Sequence, residues 1–238
     1  MAWTRRKFLQ ASAVSSIYSF TELPLAAVAP ITALAAFDHI QLGSADLDGG
    51  IIWFEKRTGV RAAFGGVHPG GGTRNALVSL GKRHYLEVYA LDPQQPNVDN
   101  EDVQKLRRLA SPAVMGWAIG TQDLDGLKRD VEAAGFKTIT EAGSRQRPDG
   151  KLLRWRLLLL VNPPPLAPFA IEWSADSPHP STDSPPAGTV AQLIFETADP
   201  QQLRKAVRAF GVVADIRRAA APSIRLTLAT KKGRIAIS

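Results

Sequence analysis

The sequence predicts an α+β protein in which two βαβββ modules pair into an open, cup-shaped mixed sheet, followed by a short third βαβββ-like unit. The first observation is an internal repeat, since residues 38–49 and 115–126 align at a constant offset of 77 and share an Asp-Leu-Asp-Gly segment. The second is a thinner copy of the same segment at residues 192–200, at an offset of 153 from the first. The third is composition, because 45% hydrophobic and 21% charged residues are enough to build a core.

Composition also excludes several classes of protein. The 238 residues include no cysteine, which excludes disulfide scaffolds, thiolate metal sites and cysteine nucleophiles. The net charge is +7, but the basic residues are scattered and no Lys/Arg run exceeds three, so no nucleic-acid partner is expected. No run reaches the roughly 18 apolar residues of a membrane-spanning helix. We therefore expect no membrane span once an N-terminal signal is removed.

Residues 1–35 resemble a twin-arginine export signal. Arg5 and Arg6 precede an apolar residue and a leucine, and a weakly apolar stretch rich in Ala and Ser follows. Ala33-Leu34-Ala35 supplies the small-x-small pattern of a cleavage site, so the mature chain is expected to begin near Ala36. A second candidate at residues 27–29 is followed by a proline, and a basic N-terminal helix that stays on the protein is the alternative. The export interpretation predicts a periplasmic or secreted protein.

Each full module is predicted as strand, helix and three strands. The helices are expected at residues 47–58 and 124–134, with Ser44 and Thr121 as N-caps. Gly59 and Gly135 close them. Glycine-rich turns are expected at residues 65–72 and 143–150, the next strands at 73–80 and 151–161, and the last strands at 85–89 and 169–173.

The remaining segments connect or extend the modules. Apolar residues three apart predict a connecting helix at residues 100–110. Prolines mark residues 181–189 as a linker or a surface loop. Residues 36–180 would thus form the two-module domain and residues 190–238 the third unit. Because that unit leaves an open sheet edge, we expect it to pair with the main sheet or with another chain, as in a homodimer.

The modules resemble the vicinal-oxygen-chelate superfamily and, within it, the glyoxalase-like domains, over about residues 37–180. The residues that carry the resemblance are Phe37-Asp38-His39-Ile40, Asp46-Leu47-Asp48, the segment His68-Pro69-Gly70-Gly71-Gly72-Thr73-Arg74-Asn75, Tyr85-Leu86-Glu87, Arg154-Trp155-Arg156 and Ile171-Glu172-Trp173. The resemblance implies a cup that usually holds a divalent metal, with ligands from the first and last strands of each module.

Carried over to this sequence, the resemblance implies three metal ligands, His39, Glu87 and Glu172. The fourth position is Gly116, which cannot bind a metal, so the sequence departs from the four-ligand pattern. One histidine and two glutamates suit Mn, Fe, Ni, Zn or Mg and leave coordination positions for a substrate that chelates through two oxygens. From the residues alone, each glutamate could instead lie on a solvated outer face.

Four further residues are candidates for the site. His68, in the glycine-rich segment, is a candidate fourth ligand or general base, although such glycines also serve simply to form a tight turn. Thr73, Arg74 and Asn75 are candidate substrate-binding residues, because their side chains suit a carboxylate or a carbonyl. Arg74 could alternatively lie outside the curved strand.

Two functions follow from these patterns. The first is an exported, metal-dependent lyase, isomerase or dioxygenase acting on a small molecule, with Glu172 and His68 as candidate catalytic residues. The second is a metal-free module that binds and sequesters a small molecule, as resistance proteins of this superfamily do. Gly116 favours the second function, whereas His39, Glu87 and Glu172 favour the first.

Overall fold

The computed structural model describes residues 31–238 and contains, within that range, five α-helices and three sheets, of eight, four and two strands, the smallest formed by β1 and β11. The helices are α1 (Ala33–Ala36), α2 (Leu47–Thr58), α3 (Glu101–Arg107), α4 (Leu124–Ala133) and α5 (Pro200–Ala209). The strands of the two modules are β2 (Phe37–Ser44), β3 (Ala63–His68), β4 (Thr73–Ser79), β5 (Tyr85–Leu91), β6 (Ala113–Gly120), β7 (Thr138–Gln146), β8 (Leu152–Leu160) and β9 (Phe169–Trp173). The remaining strands are β1 (Ile31–Thr32), β10 (Thr189–Thr197), β11 (Val212–Val213), β12 (Asp215–Arg218), β13 (Ser223–Thr230) and β14 (Gly233–Ile237).

The large sheet has eight strands in the order β3-β4-β5-β2-β6-β9-β8-β7, so the two modules meet at β2 and β6. In each module the first strand pairs in parallel with the last, and the other ladders of the sheet are antiparallel. The edge strands β3 and β7 approach each other, because Arg145 of β7 donates a hydrogen bond to the carbonyl of Gly65 in β3. The sheet is therefore curled into a cup, and the predicted fold class is confirmed.

The module helices begin and end where their capping chemistry dictates. The carboxylates of Asp46 and Asp123 accept hydrogen bonds from Gly49 and Gly126, so these aspartates are the N-caps. The predicted caps Ser44 and Thr121 are wrong by two residues, because a carboxylate in the first turn also favours the positive end of the helix dipole. The predicted terminating glycines are confirmed, since Gly59 and Gly135 adopt φ of 78° and 90°.

The predicted glycine-rich turns begin too early. The chain is still in a strand at Gly65 and at Gly143, and the first turn is confined to residues 69–72. Glycine is needed in these strands because a neighbouring side chain lies directly against the backbone. A methyl group at Gly143 would lie 2.5 Å from the ring of Trp155, and one at Gly65 would collide with Asn75.

The third unit forms a four-stranded sheet in the order β12-β10-β13-β14. Helix α5 buries Leu203, Ala206 and Val207, and the rings of Phe195 and Trp117 join this unit to the large sheet at 4.8 Å between centroids. One continuous hydrophobic core therefore extends through both sheets. The proline-rich segment is fastened to the end of β4, where Ser79 exchanges backbone hydrogen bonds with Pro185 and Ala187.

The predicted export motif at Arg5 and Arg6 lies outside the described residues. The predicted cleavage site lies inside α1, where Ala33 is buried, and strand β1 just before it pairs with β11. Among the helices of residues 31–238, none has the length and apolar character needed to cross a membrane.

Candidate active site

The two faces of the large sheet have different roles. Ile40, Leu42 and Val88 point toward the hydrophobic core beneath helix α2. Side chains of the alternate residues point into the cup, because successive residues of a strand face opposite sides. His39 and Gln41 of β2 thus lie beside their register partners Tyr85 and Glu87 of β5. The concave face is consequently the one that carries the candidate polar residues.

Glu87 is the centre of this face. Its side chain is 7% exposed, and its Oε2 lies 3.8 Å from Nε2 of His39, while its Oε1 lies 3.6 Å from Nε2 of His68. Gln41 and Asn75 donate hydrogen bonds to the two oxygens, at 3.3 Å and 2.6 Å. The carboxylate therefore lies between two imidazoles and is also held by two amides.

Each imidazole is oriented through its other nitrogen. Nδ1 of His39 lies 3.0 Å from Oδ1 of Asp38. Nδ1 of His68 lies 2.9 Å from Oγ1 of Thr73, while the amide nitrogen of Asn75 lies 3.2 Å from its Nε2. Because the amide donates, Nε2 of His68 must accept, so the ring proton resides on Nδ1 and is donated to Thr73. Both histidines thus direct Nε2 toward Glu87.

The charges follow from burial and neighbours. Burial opposes ionisation of Glu87, but His68, His39 and the hydrogen bond from Asn75 together lower its pKa below the ordinary value. Burial lowers the pKa of His68 and outweighs the opposing effect of Glu87. At neutral pH the site therefore holds an ionised carboxylate beside a neutral imidazole whose Nε2 accepts a hydrogen bond from Asn75.

Asp38 lies at the rim of the site. This position is unusual, because Asp38 directly precedes His39 in β2 and adjacent residues of a strand ordinarily face opposite sides of the sheet. The pairing of β2 with β6 is irregular between Phe37 and His39, and this irregularity accompanies the approach of both side chains to one another. The second oxygen of Asp38 lies 3.0 Å from Nε2 of His179 and accepts a hydrogen bond from Trp173. Burial opposes ionisation, but the hydrogen bonds from His179 and His39 hold the pKa of Asp38 at about 2.

Glu172 lies on the opposite face of the sheet. One of its oxygens accepts a hydrogen bond from the backbone N–H of Leu124 at the start of α4, and the other accepts from Arg156. In β9 the residues that share the face of His39 are Phe169, Ile171 and Trp173, since Phe169 is in register with Ala118, which is itself in register with His39. The structure therefore does not bring Glu172 together with His39 and Glu87.

The predicted substrate-binding residues divide in the same way. Thr73 and Asn75 face the cup and are buried against His68 and Glu87. Arg74 lies on the outer face between its register partners Val67 and Ala90. Its predicted role at the site is not supported, because adjacent residues of β4 point to opposite sides.

The donor set does not fit the resident divalent ion that the resemblance implies. Among residues 31–238 no group of three or more His, Cys, Asp or Glu side chains is arranged to hold a metal. Gly116 contributes no ligand, and the space beside it is taken by Gln41, whose Oε1 would lie 2.8 Å from a methyl group at position 116. Both oxygens of Glu87 already accept hydrogen bonds from amides.

Sequence reasoning missed Asp38, Gln41 and Arg145 as parts of the site, and it left open whether His179, in the proline-rich loop, closes over the cup. Asp38 and Gln41 flank His39 in the sequence, so the register of β2 could have suggested Gln41. Arg145 and His179 reach the cup only because the edge strands and the proline-rich loop fold over it. No local pattern in the sequence marks either of them.

Comparison with known proteins agrees with this geometry. The family model of the glyoxalase-like domain matches residues 37–211. A hypothetical protein from Staphylococcus aureus has the same fold, with a TM-score of 0.62 and 13% identity over 85% of this chain and 98% of that one. No curated protein matches the chain.

Solved methylmalonyl-CoA epimerases are also similar, although at lower scores. The enzyme from Mycobacterium tuberculosis has a TM-score of 0.43 and 19% identity over 60% of this chain and 91% of that one. A Streptomyces coelicolor variant in complex with 2-nitronate-propionyl-CoA has a TM-score of 0.42 and 20% identity over 60% of this chain and all of the other. The match to the family model defines the class, a two-module protein of the vicinal-oxygen-chelate superfamily. The chain belongs to the glyoxalase-like domain family.

Proposed function

We propose that this protein is an enzyme that moves a proton next to the carbonyl group of a small oxygenated substrate, with Glu87 as the base. The observation that carries the proposal is the position of the Glu87 carboxylate between Nε2 of His39 and Nε2 of His68. A carboxylate that is ionised at neutral pH can accept a proton, and a neutral imidazole beside it can relay that proton. Isomerases and lyases use this chemistry.

His39 and His68 have different hydrogen-bond partners at Nδ1, and this difference assigns them different roles in the proton transfer. Asp38 holds the ring of His39 in place through the 3.0 Å contact to Nδ1. Thr73 offers His68 only a hydroxyl, so its imidazole stays neutral more readily. In the proposal Glu87 takes the proton from the substrate, Nε2 of His68 receives it from the carboxylate, and His39 lies on the other side of Glu87. No step depends on a metal, because the donor set does not fit one.

A metal-free binding module is the second candidate. The burial of His39 and Glu87 favours it, since only 5% and 7% of their side chains are exposed. Such a module would use the same amides and imidazoles to hold a small molecule without transferring a proton.

Proton exchange with solvent separates the two candidates. Small 2-oxo acids and 1,2-dicarbonyl compounds would be incubated with the protein in D₂O, and incorporation of deuterium would be followed by NMR. We expect exchange with the parent protein and a loss of about 100-fold or more for Glu87→Gln. Glu141→Gln, the same change at an exposed residue of β7, is the matched control. Binding of a compound without exchange would favour the sequestering module.

We also propose that the protein is exported through the twin-arginine route to the periplasm or the exterior. The paired Arg5 and Arg6 and the small residues before Ala36 support this proposal. Mass spectrometry of periplasmic protein would show a chain that begins near Ala36, and Arg5→Lys combined with Arg6→Lys would abolish export. An intact Met1 in the cytoplasmic pool, unchanged by the double substitution, would contradict it.

A further inference from the structure

Arg145 is a buried cation that makes no direct ion pair with a carboxylate of residues 31–238. Its relative exposure is 3%. Within residues 31–238 its guanidinium makes one hydrogen bond, to the carbonyl of Gly65, and no ion pair. Removing a guanidinium from water costs several kcal/mol, so buried arginines are normally paired with carboxylates or phosphates. The guanidinium therefore has hydrogen-bonding capacity left for an anion in direct contact with it.

A cavity lies against this guanidinium at the seam where β3 meets β7. Its volume is about 170 Å³, and apolar side chains that include Phe64, Leu77 and Leu153 line it together with Arg145 and with the charged residues Arg147, Asp149 and Asp183. An engineered apolar cavity of about 150 Å³ holds benzene, which has six heavy atoms. The cavity at the seam can thus hold a molecule of about that size.

The same cavity borders the candidate active site. Leu77 is the register partner of Glu87 on the concave face, and Arg145 is close enough for its charge to lower the pKa of both Glu87 and His68. Asn75, which donates to Glu87, also has a buried Oδ1 with no partner in residues 31–238. This oxygen and Arg145 both lie against Gly65, so an unused acceptor and an unpaired cation occupy neighbouring positions.

We propose that Arg145 binds the carboxylate of the substrate and that the substrate is a small monocarboxylic acid of about six heavy atoms, such as a 2-oxo or 2-hydroxy acid. The fork of the guanidinium matches a carboxylate in two parallel hydrogen bonds. The reactive carbon would then lie between Arg145 and the Glu87–His68 pair. The inference names the substrate class of the proposed function and rests on that function for its chemistry.

Two arginines line the cavity, but only Arg145 is available to bind an anion. Arg147, just past the end of β7, lines the same cavity but makes two hydrogen bonds with Asp183, at 3.0 Å and 2.7 Å. Its charge is already neutralised by this ion pair. Gly65 is also required, since a methyl group there would lie 3.0 Å from the Arg145 Nη1.

Calorimetric titration with pyruvate, lactate and the neutral analogue pyruvamide tests the proposal. We expect the parent protein to bind pyruvate or lactate at least about 10-fold more tightly than pyruvamide, because charged hydrogen bonds are the stronger ones. Arg145→Gln should remove that preference, and Arg154→Gln, at an exposed arginine of β8 outside the cavity, is the matched control that should keep it. Arg145→Lys retains the charge without the fork, so it should fold and show an intermediate preference.

The outcomes separate this inference from the proposed function. If the parent binds pyruvamide as tightly as pyruvate, binds neither acid at millimolar concentration, or keeps its preference in Arg145→Gln, the inference is overturned. If Arg145→Gln does not fold, the preference for the acids over pyruvamide, measured in the parent protein and in Arg145→Lys, tests the inference. Glu87→Gln should bind the acids at least as tightly as the parent, since a negative charge near the ligand is removed. Arg145-dependent binding without deuterium exchange would support the inference and overturn the catalytic proposal; exchange without such binding would do the reverse.

Discussion

Nε2 of His179 lies 3.0 Å from Oδ2 of Asp38, although the two residues are 141 positions apart in the chain. The backbone N–H of Ser181 donates to Nδ1 of the same ring, so the ring proton is on Nε2 and is donated to the carboxylate. Both side chains are buried. The proline-rich loop is thereby fastened to the first strand of the cup, directly beside His39.

This pair predicts a loss of stability in acid. The pKa of Asp38 is about 2 in the folded protein, against an ordinary value of 3.8. Between these values the unfolded chain takes up a proton that the folded chain does not, so the contribution of Asp38 is complete above about pH 4 and disappears as the pH falls to about 2. We expect about 2 kcal/mol of unfolding free energy to be lost across this window.

Urea unfolding of the parent protein and of Asp38→Asn, repeated at several pH values, measures this contribution. The difference between the two proteins should be largest at neutral pH and should shrink toward pH 2. Asp176→Asn is the control, since Asp176 is exposed and pairs with Arg154 at the surface. A difference that stays constant with pH would contradict the ionised state of Asp38.

The position of Glu172 predicts that its substitution lowers stability and leaves catalysis unchanged. Its carboxylate caps α4 through the N–H of Leu124, so Glu172→Ala should lower the unfolding free energy by about 1 kcal/mol. Metal content, acid binding and deuterium exchange should remain those of the parent. A loss of metal or of exchange in Glu172→Ala, with stability intact, would place this residue back among the ligands.

The fold was more predictable than the site, for a physical reason. The repeat at an offset of 77 and the capping residues are local signals, and they located α2, α4 and the strands β2 and β6 with errors of at most a few residues. His39 and Glu87 were predicted to lie together, and they do, because paired first and last strands keep their register.

The errors concern which face a residue occupies. Resemblance placed Glu172 in the cup, but in β9 its neighbours Ile171 and Trp173 face inward instead. A shift of one residue along a strand moves a side chain to the other face, and no composition pattern in a short apolar strand fixes that register. Arg145 was missed for a different reason, because its contact with Gly65 depends on the curl of the whole sheet.

The packing of the third unit on the large sheet predicts that the stability of the protein depends on the complete chain. Phe195 packs on the fully buried Trp117 of the large sheet, and both belong to the same hydrophobic core. Truncation after Gly188 would expose this surface, so the product should aggregate or lose several kcal/mol of unfolding free energy. Phe195→Ala in the full chain tests the same contact and should cost about 3 kcal/mol. A truncated protein that is monomeric and as stable as the parent would contradict the prediction.

The position of Gly116 predicts that a histidine there would supply the missing metal ligand. Gly116 is in register with Gln41, which is in register with Glu87, so position 116 faces the same part of the cup. A side chain there would meet the end of Gln41, which Gln41→Ala removes.

The double variant Gln41→Ala with Gly116→His would add an imidazole beside His39 and Glu87, a set that suits Zn²⁺ or Ni²⁺. We expect its affinity for Zn²⁺ to be at least about 10-fold higher than that of Gln41→Ala alone, measured by competition with a chelating dye. Equal affinities in the two variants would show that position 116 does not face His39 and Glu87, whereas tight binding by the parent protein would restore the metal-dependent function.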